Sequence, residues 1–432
     1  MDLLKQLQAS AEQVEVVEIQ AESTLVNFES NRLKGSQVEE TRGVAVRVMC
    51  NGRLGFAASS DAGAQEKLVS NALESAAYGE ALPIQFPAAQ PGPKIFTFDP
   101  LIGDLPIPRL VEMGREMGDA ILQVEPAARV TVKLERRIEH MTLDNQAGAH
   151  ITYDRTPLSI FMETDLIQGD DVLMLDGQTG TTAWDKEYLE IARQQVELLQ
   201  QSKRRAAVYS GRMPVLFTPT GALVLAFPLM MAIDGKNVYA GTSPVAGKLD
   251  HKLFDSEISV VDDGTLDGRI ASAAYDDEGV PHRRNVVVEQ GVLKSFLYDL
   301  KTAAQSGAES TGNAGRGLFS PPYPQPTNFL IQPGSTQLKE MIASIQEGVL
   351  VDQVLGLGQG NILSGAFSNP VGLGFKIERG KIVGRVKDIS IAGNIYDMLE
   401  HVAAVSQETQ WVYSSFNLPY ILLPEMNVVA KE

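Results

Sequence analysis

The pattern of helices and strands changes near residue 210, and this change constrains the fold more than any other feature of the sequence. Before residue 210, strand patterns alternate with amphipathic helices, one of which places apolar residues at helical spacing at Leu110, Met113, Met117 and Ile121. After it, short strands and glycine-containing turns dominate. Residues 210–214 include a glycine and a proline, which mark loops. We therefore expect an N-terminal domain over residues 1–205 and a C-terminal domain over residues 212–432.

The fold class that these patterns predict is α+β, with an N-terminal α/β layered domain and a C-terminal, mainly antiparallel β domain that carries a few helices. Asn51 and Gly52 suit a type I′ hairpin turn, because both central residues of that turn need positive φ. Ser60 or Asp61 is expected to cap the next helix. Other N-terminal elements are predicted as strands at 28–34, 44–49, 54–58, 130–134 and 150–161 and a helix at 184–202.

The C-terminal elements follow from the same reasoning. Gln290-Gly291 and Arg379-Gly380 are predicted to be tight hairpin turns. Few segments have helical spacing, so a mostly antiparallel β domain with helices attached is expected. Helices are predicted at 220–233, 336–347 and 395–402, and strands at 215–218, 257–261, 285–289, 292–297, 374–377 and 389–392.

The overall charge argues against direct binding of nucleic acid. The 54 acidic residues outnumber the 37 Lys and Arg residues, which gives a formal net charge of −17. The apolar stretch at 222–233 is too short to span a bilayer, so we expect no membrane association. The N-terminus lacks the pattern of a signal peptide, and Cys50 is the single cysteine. These features together predict a cytoplasmic location.

Common catalytic signatures are missing from the sequence. It contains no G-x-S-x-G elbow, no GxxxxGK[ST] phosphate loop and no H-E-x-x-H motif, and its five histidines are scattered. Asp262-Asp263 and the acidic run at 276–278 suggest a cation site, since hard cations prefer carboxylate oxygens. Both groups adjoin a glycine, however, and turns with solvated carboxylates are the favoured interpretation. The residues themselves therefore predict no catalytic group and no metal ligand.

Several glycine-rich pieces of the sequence occur in an order that is specific as a set. They are GKNVY at 235–239, YDDEGV at 275–280, STGNAG at 310–315, IAGN at 391–394 and LPEM at 423–426. In this order they resemble the TldD/PmbA family, whose members are also called modulators of DNA gyrase. The resemblance covers essentially the whole chain and is strongest after residue 211.

The family has two branches, and the chain resembles the one without zinc. TldD-type members carry H-E-x-x-x-H on a helix and bind zinc through its two histidines and a later cysteine. The corresponding helix here is 220–233, which holds neither His nor Glu, and no cysteine follows Cys50. The sequence is therefore similar to the PmbA branch, also called TldE. That resemblance implies no cofactor in this chain and zinc in a TldD-type partner.

The function implied by this resemblance is that of a metal-free, non-catalytic subunit in a TldD–TldE type metallopeptidase complex. Such a dimer would take part in proteolysis of unfolded peptides, such as peptide-antibiotic precursors or antitoxins, and any link to gyrase would be indirect. Two alternatives stay open. One is an autonomous metal-dependent peptidase with an unrecognised site, such as the acidic run at 276–278. The other is a homodimeric peptide-binding protein without hydrolysis.

Two glycine-containing loops are the candidate peptide-binding residues. Glycine lets backbone donors and acceptors approach an extended peptide, which could then be held by strand addition. A flexible surface loop without a ligand is an equally good interpretation of the longer one, at 310–317. The candidates are Ser310, Thr311, Gly312 and Asn313 in that loop, and Gly358, Gln359 and Gly360 in the second.

Overall fold

Two large β-sheets form the framework of the chain, whose computed structural model describes residues 3–61, 63–184 and 186–431. The first sheet contains β1 to β7, in the order β3-β2-β1-β4-β6-β7 with β5 added beside β4, and all its pairings are antiparallel. These strands are β1 Gln13–Glu29, β2 Arg32–Cys50, β3 Arg53–Ser59, β4 Arg129–Asn145, β5 His150–Arg155, β6 Leu158–Gln168 and β7 Asp171–Thr181.

In the described part of the chain, five helices accompany this sheet: one precedes β1, three lie between β3 and β4 along the chain, and one follows β7. The longest places Leu110, Met113, Met117 and Ile121 in the core, as the helical spacing predicted. A 3₁₀ turn, Lys186–Leu189, directly precedes the last helix of this half. The helices are α1 Leu3–Gln8, α2 Gln65–Ala76, α3 Pro100–Gly103, α4 Ile107–Leu122 and α5 Glu190–Ser202.

The second sheet has the order β11-β10-β9-β14-β20-β18-β16-β15-β8, with β17 beside β16 and β19 beside β20. Most pairings are antiparallel, but β8 pairs parallel with β15 and β14 pairs parallel with β20. Its strands are β8 Gly211–Phe217, β9 Val260–Asp263, β10 Arg284–Glu289, β11 Val292–Leu293, β14 Phe329–Ile331, β15 Glu347–Val354, β16 Ala366–Glu378, β17 Lys381–Val386, β18 Ile389–Asn394, β19 Ala404–Val412 and β20 Phe416–Ala430.

The remaining C-terminal elements are short. The strands β12 Ala314–Gly315 and β13 Tyr323–Pro324 form a small sheet of their own. A 3₁₀ turn, Ile362–Ser364, lies between β15 and β16. The helices are α6 Leu223–Ala232, α7 Gly235–Tyr239, α8 Leu300–Ser306, α9 Leu338–Ser344 and α10 Ile395–Leu399. Within the described residues, no helix combines the length and apolar character that crossing a membrane requires.

Two main hydrophobic cores lie on opposite faces of the second sheet. Val349 and Val351 of β15 pack in the core around α6, whereas Leu350 between them packs in the other core with α4, α5 and the first sheet. Alternate residues of a strand point to opposite faces, so one strand supplies both cores. The second core contains residues from both halves of the chain, and it joins the two sheets by burial of apolar surface.

The predicted fold class is confirmed, since the chain is a mixed α+β protein with mainly antiparallel sheets and few helices. The three predicted hairpin turns also form. Asn51 and Gly52 have φ of 50° and 69°, and the pairs at 290–291 and 379–380 likewise have positive φ. Each of the two proposed domains, 1–205 and 212–432, contains its own sheet, and this division stays a proposal.

Several predicted elements are wrong in detail. The predicted strand at 28–34 includes the turn between β1 and β2, where Ser30 and Asn31 have positive φ. The predicted strand at 150–161 is two strands, β5 and β6, that end and begin around Pro157. Neither Ser60 nor Asp61 caps α2, which begins only at Gln65. The predicted helix at 184–202 is α-helical from Glu190, and residue 185 lies outside the described residues.

Candidate functional site

The helix α6 is apolar throughout, and it is the helix where the family resemblance would put zinc ligands. Most of its side chains are buried in the core, whereas Phe227, Met230 and Met231 are half-buried. Zinc in proteins takes Cys, His, Asp or Glu ligands, and α6 has none of them. The residues present therefore do not fit a zinc ion. Across 3–61, 63–184 and 186–431, no group of three such residues is arranged to hold a metal.

The turn Gly358-Gln359-Gly360 lies beside α6. Leu357 and Leu363, on either side of the turn, pack in the same core as Phe227 and Met230 of the helix. Gly358 and Gly360 have φ of 90° and 78°, which glycine adopts readily and other residues do not. The turn is exposed, and a Cβ atom on Gly360 would meet nothing within 4 Å. This predicted candidate therefore forms an accessible loop next to the apolar helix.

The second candidate segment, Ser310 to Asn313, is part of a buried hydrogen-bond network. Asn313 Nδ2 donates to Asp262 Oδ2 at 2.6 Å, and Thr311 Oγ1 donates to Asn313 Oδ1 at 2.8 Å. Thr327 donates to both oxygens of the same Asp262 carboxylate, through its N–H at 2.7 Å and its hydroxyl at 2.9 Å. Burial raises the pKa of Asp262 to about 6, although these donors favour its charged form.

Backbone donors of the 310–317 loop are already used within the chain. The N–H groups of Thr311 and Gly312 donate to Tyr298 O and Ser310 Oγ, and those of Ala314 and Arg316 donate to carboxylates at 276 and 277. Gly312 has φ of 71°, and a Cβ atom there would lie 2.6 Å from the carbonyl oxygen of Pro281. The fold itself thus requires this glycine. Peptide binding by Ser310, Thr311, Gly312 and Asn313 stays a proposal.

The acidic groups that were predicted to be solvated turns are buried, so that prediction is wrong. Asp262, Asp276 and Glu278 have 2% or less of their surface exposed. Asp276 accepts hydrogen bonds from the N–H groups of Glu278, Val280 and Ala314, which explains how a turn can bury its carboxylate. Burial and the neighbouring Glu278 raise the pKa of Asp276 well above its ordinary value. These carboxylates hold loops together and do not face solvent.

A buried charge cluster links this acidic turn to the first sheet. Arg47 of β2 forms ion pairs with Glu15 of β1, at 2.6 Å, and with Glu278. Arg316 also pairs with Glu15 at 2.6 Å. Burial would raise the pKa of Glu15, but Arg316 and Arg47 outweigh that effect and hold this pKa below its ordinary value. The 310–317 loop is thereby fixed to both halves of the chain.

Comparison with known proteins identifies the family of this chain. The model of the PmbA/TldA metallopeptidase C-terminal domain matches residues 210–430, and the model of PmbA/TldA metallopeptidase domain 1 matches residues 14–76. The first match alone covers more than half of the 432 residues. The chain belongs to the PmbA/TldD metallopeptidase family.

Relatives in this family are distant in sequence and close in fold. An uncharacterized protein of Methanocaldococcus jannaschii is 27% identical over 95% of this chain and 96% of its own length. A metalloprotease of Methanothermobacter thermautotrophicus is 29% identical over 61% of this chain and 59% of its own length. A metalloprotease TldD homolog of Buchnera aphidicola is 30% identical over 52% and 45%. The chain thus matches only about half to three-fifths of the length of those two metalloproteases.

Two solved structures of the PmbA/TldD family superimpose on the whole chain. The structure of TldE from Thermococcus kodakarensis has a TM-score of 0.89 at 22% identity, over 99% of both chains. A protein of Thermotoga maritima described as a candidate modulator of a DNA gyrase has a TM-score of 0.90 at 24% identity, again over 99% of both chains. At these identities the similarity establishes the fold alone.

Proposed function

We propose that this chain is the non-catalytic subunit of a two-chain metallopeptidase, paired with a zinc-bearing TldD-type member of its family. The observation that carries the proposal is the combination of a complete family fold with an apolar α6. Phe227, Met230 and Met231 form the half-buried face of that helix, and none of them can hold zinc or act as a base. The zinc of the complex then belongs to the partner.

The proposed role of this subunit is to complete a chamber for unfolded peptides. The apolar face of α6 and the exposed turn Gly358-Gln359-Gly360 adjoin each other, and together they offer apolar surface and backbone groups without charge. Such a surface suits a peptide held by its main chain, whatever its side chains. We further propose a cytoplasmic location and substrates such as peptide-antibiotic precursors or antitoxins.

The alternative of an autonomous peptidase at the acidic run 276–278 has weak geometric support. Asp276 and Glu278 are almost fully buried, and their oxygens accept hydrogen bonds from this chain. A hydrolytic cation needs open coordination positions for water and substrate. The alternative of a homodimeric peptide-binding protein uses the same α6 surface, and it differs from the main proposal in its partner and in the absence of hydrolysis.

The test is reconstitution with a zinc-bearing homologue from the same genome. This chain alone should not hydrolyse an unfolded peptide, whereas the mixed complex should do so and should lose activity on chelation. Co-purification without hydrolysis by the mixture would contradict the proposal. Association of this chain only with itself, together with saturable peptide binding, would favour the homodimeric alternative.

A glycine variant tests the chamber itself. A Cβ atom at Gly360 would meet nothing within 4 Å, so Gly360→Val strains only the local backbone, which has φ of 78°, and should leave the rest of the subunit folded. The variant alters the exposed turn and should lower activity of the mixed complex at least about tenfold. Gly307→Val is the matched control, because Gly307 also has positive φ and open space but ends α8 outside the proposed chamber. Equal activity of both complexes would remove the turn from the site. Gly312→Val is unsuitable, since it clashes with Pro281.

A further inference from the structure

A cleft of about 590 Å³ lies between the two halves of the chain, on the face of the second sheet that is opposite α6. One wall contains residues 176–181 of β7 and part of α5, and the other contains Asp352, Gln353 and residues 409–413. Val351 packs in the core of α6, and its neighbour Asp352 points to the other side and lines the cleft. The cleft is thus separate from the proposed chamber.

The charge of the cleft is strongly negative. Among its lining residues, the five carboxylates outnumber a single cation, Arg269. That guanidinium lies over the ring of Trp411, 3.9 Å from the ring centroid, so the wall already accommodates one flat organic cation on an aromatic face. Three tyrosines, Tyr188, Tyr413 and Tyr420, add further aromatic edges and hydroxyl groups. The five carboxylates are Asp176, Glu190, Glu197, Asp267 and Asp352.

One of these carboxylates is largely buried and accepts a hydrogen bond at one of its two oxygens. Asp352 has 7% of its surface exposed, and its Oδ1 accepts a hydrogen bond from Thr218 Oγ1 at 2.8 Å. In the described part of the chain, no group donates to its Oδ2, although that oxygen belongs to a residue that lines the cleft. A bound cation could donate to this second oxygen, and hydrogen bonds between ionised groups are stronger than neutral ones.

A second carboxylate, that of Asp176, adds negative charge on the facing wall of the cleft. Asp176 lies on the opposite wall, where its Oδ2 accepts a hydrogen bond from Tyr413 Oη at 2.6 Å. Burial and then the negative charge of Asp176 raise the pKa of Asp352 to about 6. A cation that reached both carboxylates would relieve their repulsion and could donate to Asp352 Oδ2.

We infer that this cleft binds an organic cation through a primary ammonium or guanidinium group, which donates to Asp352 and lies among the aromatic rings of Trp411 and Tyr413. Either a basic side chain of a peptide or a free polyamine can supply that group. The volume accommodates a ligand of this size, because small-molecule sites usually measure about 300 to 1,000 Å³.

The experiment is calorimetric titration of the full chain at pH 7.5 and low salt with two probes. Spermidine represents the polyamine, and acetyl-Gly-Lys-Gly-amide represents the peptide, with the norleucine peptide as its uncharged counterpart. At least one cationic probe should bind saturably, and the norleucine peptide should not. Binding of spermidine alone identifies a polyamine site, whereas binding of the lysine peptide identifies a site for basic side chains.

Variants complete the test. Asp352→Asn keeps an acceptor for Thr218 and should remain folded, yet it should weaken cation binding at least about tenfold, because it removes the charge from the hydrogen bond. Asp119→Asn removes an equal charge from an exposed position of α4 and should leave the affinity unchanged. Absence of saturable binding by both cationic probes, or equal affinity in Asp352→Asn and the unmodified chain, would overturn the inference.

Discussion

Replacing Arg47 by Met should be among the most destabilising single changes in this chain. The Arg47 side chain is 1% exposed, and it donates to Glu15 through Nε at 2.9 Å and Nη2 at 2.6 Å, and to Glu278 through Nη1. Both carboxylates are completely buried. Methionine would fill part of the volume but would leave Glu278 without a cation and Glu15 with Arg316 alone.

The expected cost follows from this burial. Removing one partner of a buried ion pair typically lowers the free energy of unfolding by about 3 to 5 kcal/mol, because the remaining charge is uncompensated. Urea unfolding at pH 7, monitored by circular dichroism, measures this change in the free energy of unfolding. The double variant Arg47→Met/Glu278→Gln should recover part of the loss, since it removes the stranded charge.

An exposed pair provides the control for this measurement. Arg212 lies 3.1 Å from Glu425 with 64% of its side chain exposed, so Arg212→Met should change the free energy of unfolding by no more than about 1 kcal/mol. A cost of Arg47→Met equal to that of Arg212→Met would refute the view that the buried cluster holds the two halves together.

Three further variants test other buried groups. Asp352→Asn should raise the free energy of unfolding at pH 7.5 by up to about 3 kcal/mol and leave it unchanged at pH 4. The pKa of Asp352 in the folded chain is raised from 3.8 to about 6, so the unmodified chain loses stability as the pH rises from 3.8 to about 6, whereas an asparagine side chain at this position does not titrate. If urea titrations gave the same difference in free energy of unfolding between the variant and the unmodified chain at pH 4 and at pH 7.5, this prediction would be wrong. Asp262→Asn should instead lower the free energy of unfolding at pH 7.5 by about 1 to 3 kcal/mol, because both Asp262 oxygens accept hydrogen bonds and an amide can replace only one acceptor. An unchanged urea midpoint would contradict a stabilising role of this hydrogen-bond network. Gly312→Ala should lower the thermal midpoint far more than Gly307→Ala, since only the former places Cβ against a carbonyl oxygen, and equal midpoints would contradict that geometry.

Local sequence signals predicted the parts of the fold that depend on a few neighbouring residues. Asn51-Gly52 specified its hairpin because positive φ is a property of the turn itself. The helical spacing from Leu110 to Ile121 likewise identified the buried face of α4. Strand ends were predicted less well. The pairing of β1 with β2, and not the local composition, decides that the two strands extend as far as the turn at Ser30 and Asn31.

The buried charges could not be predicted from local sequence. An aspartate followed by glycine has the same local pattern in a solvated turn and in a buried network. Asp262 is buried because Asn313, 51 residues away, donates to it, and Arg47 meets Glu278 across 231 residues. The one available signal for Arg47 was its place between Val46 and Val48, in the C-terminal part of β2, which is buried on both faces. The cleft carboxylates Asp176 and Asp352 gave no signal, because only the packing of the two halves brings them together.

The zinc content of the isolated chain gives the most direct test of its proposed role as a metal-free subunit. The purified chain is incubated with excess zinc, desalted and analysed for metal, and its hydrolysis of an unfolded peptide is measured in the same sample. An α6 without His, Glu, Asp or Cys predicts far less than one zinc per chain and no hydrolysis. About one tightly bound zinc per chain, with peptide hydrolysis that chelation abolishes, would contradict that role.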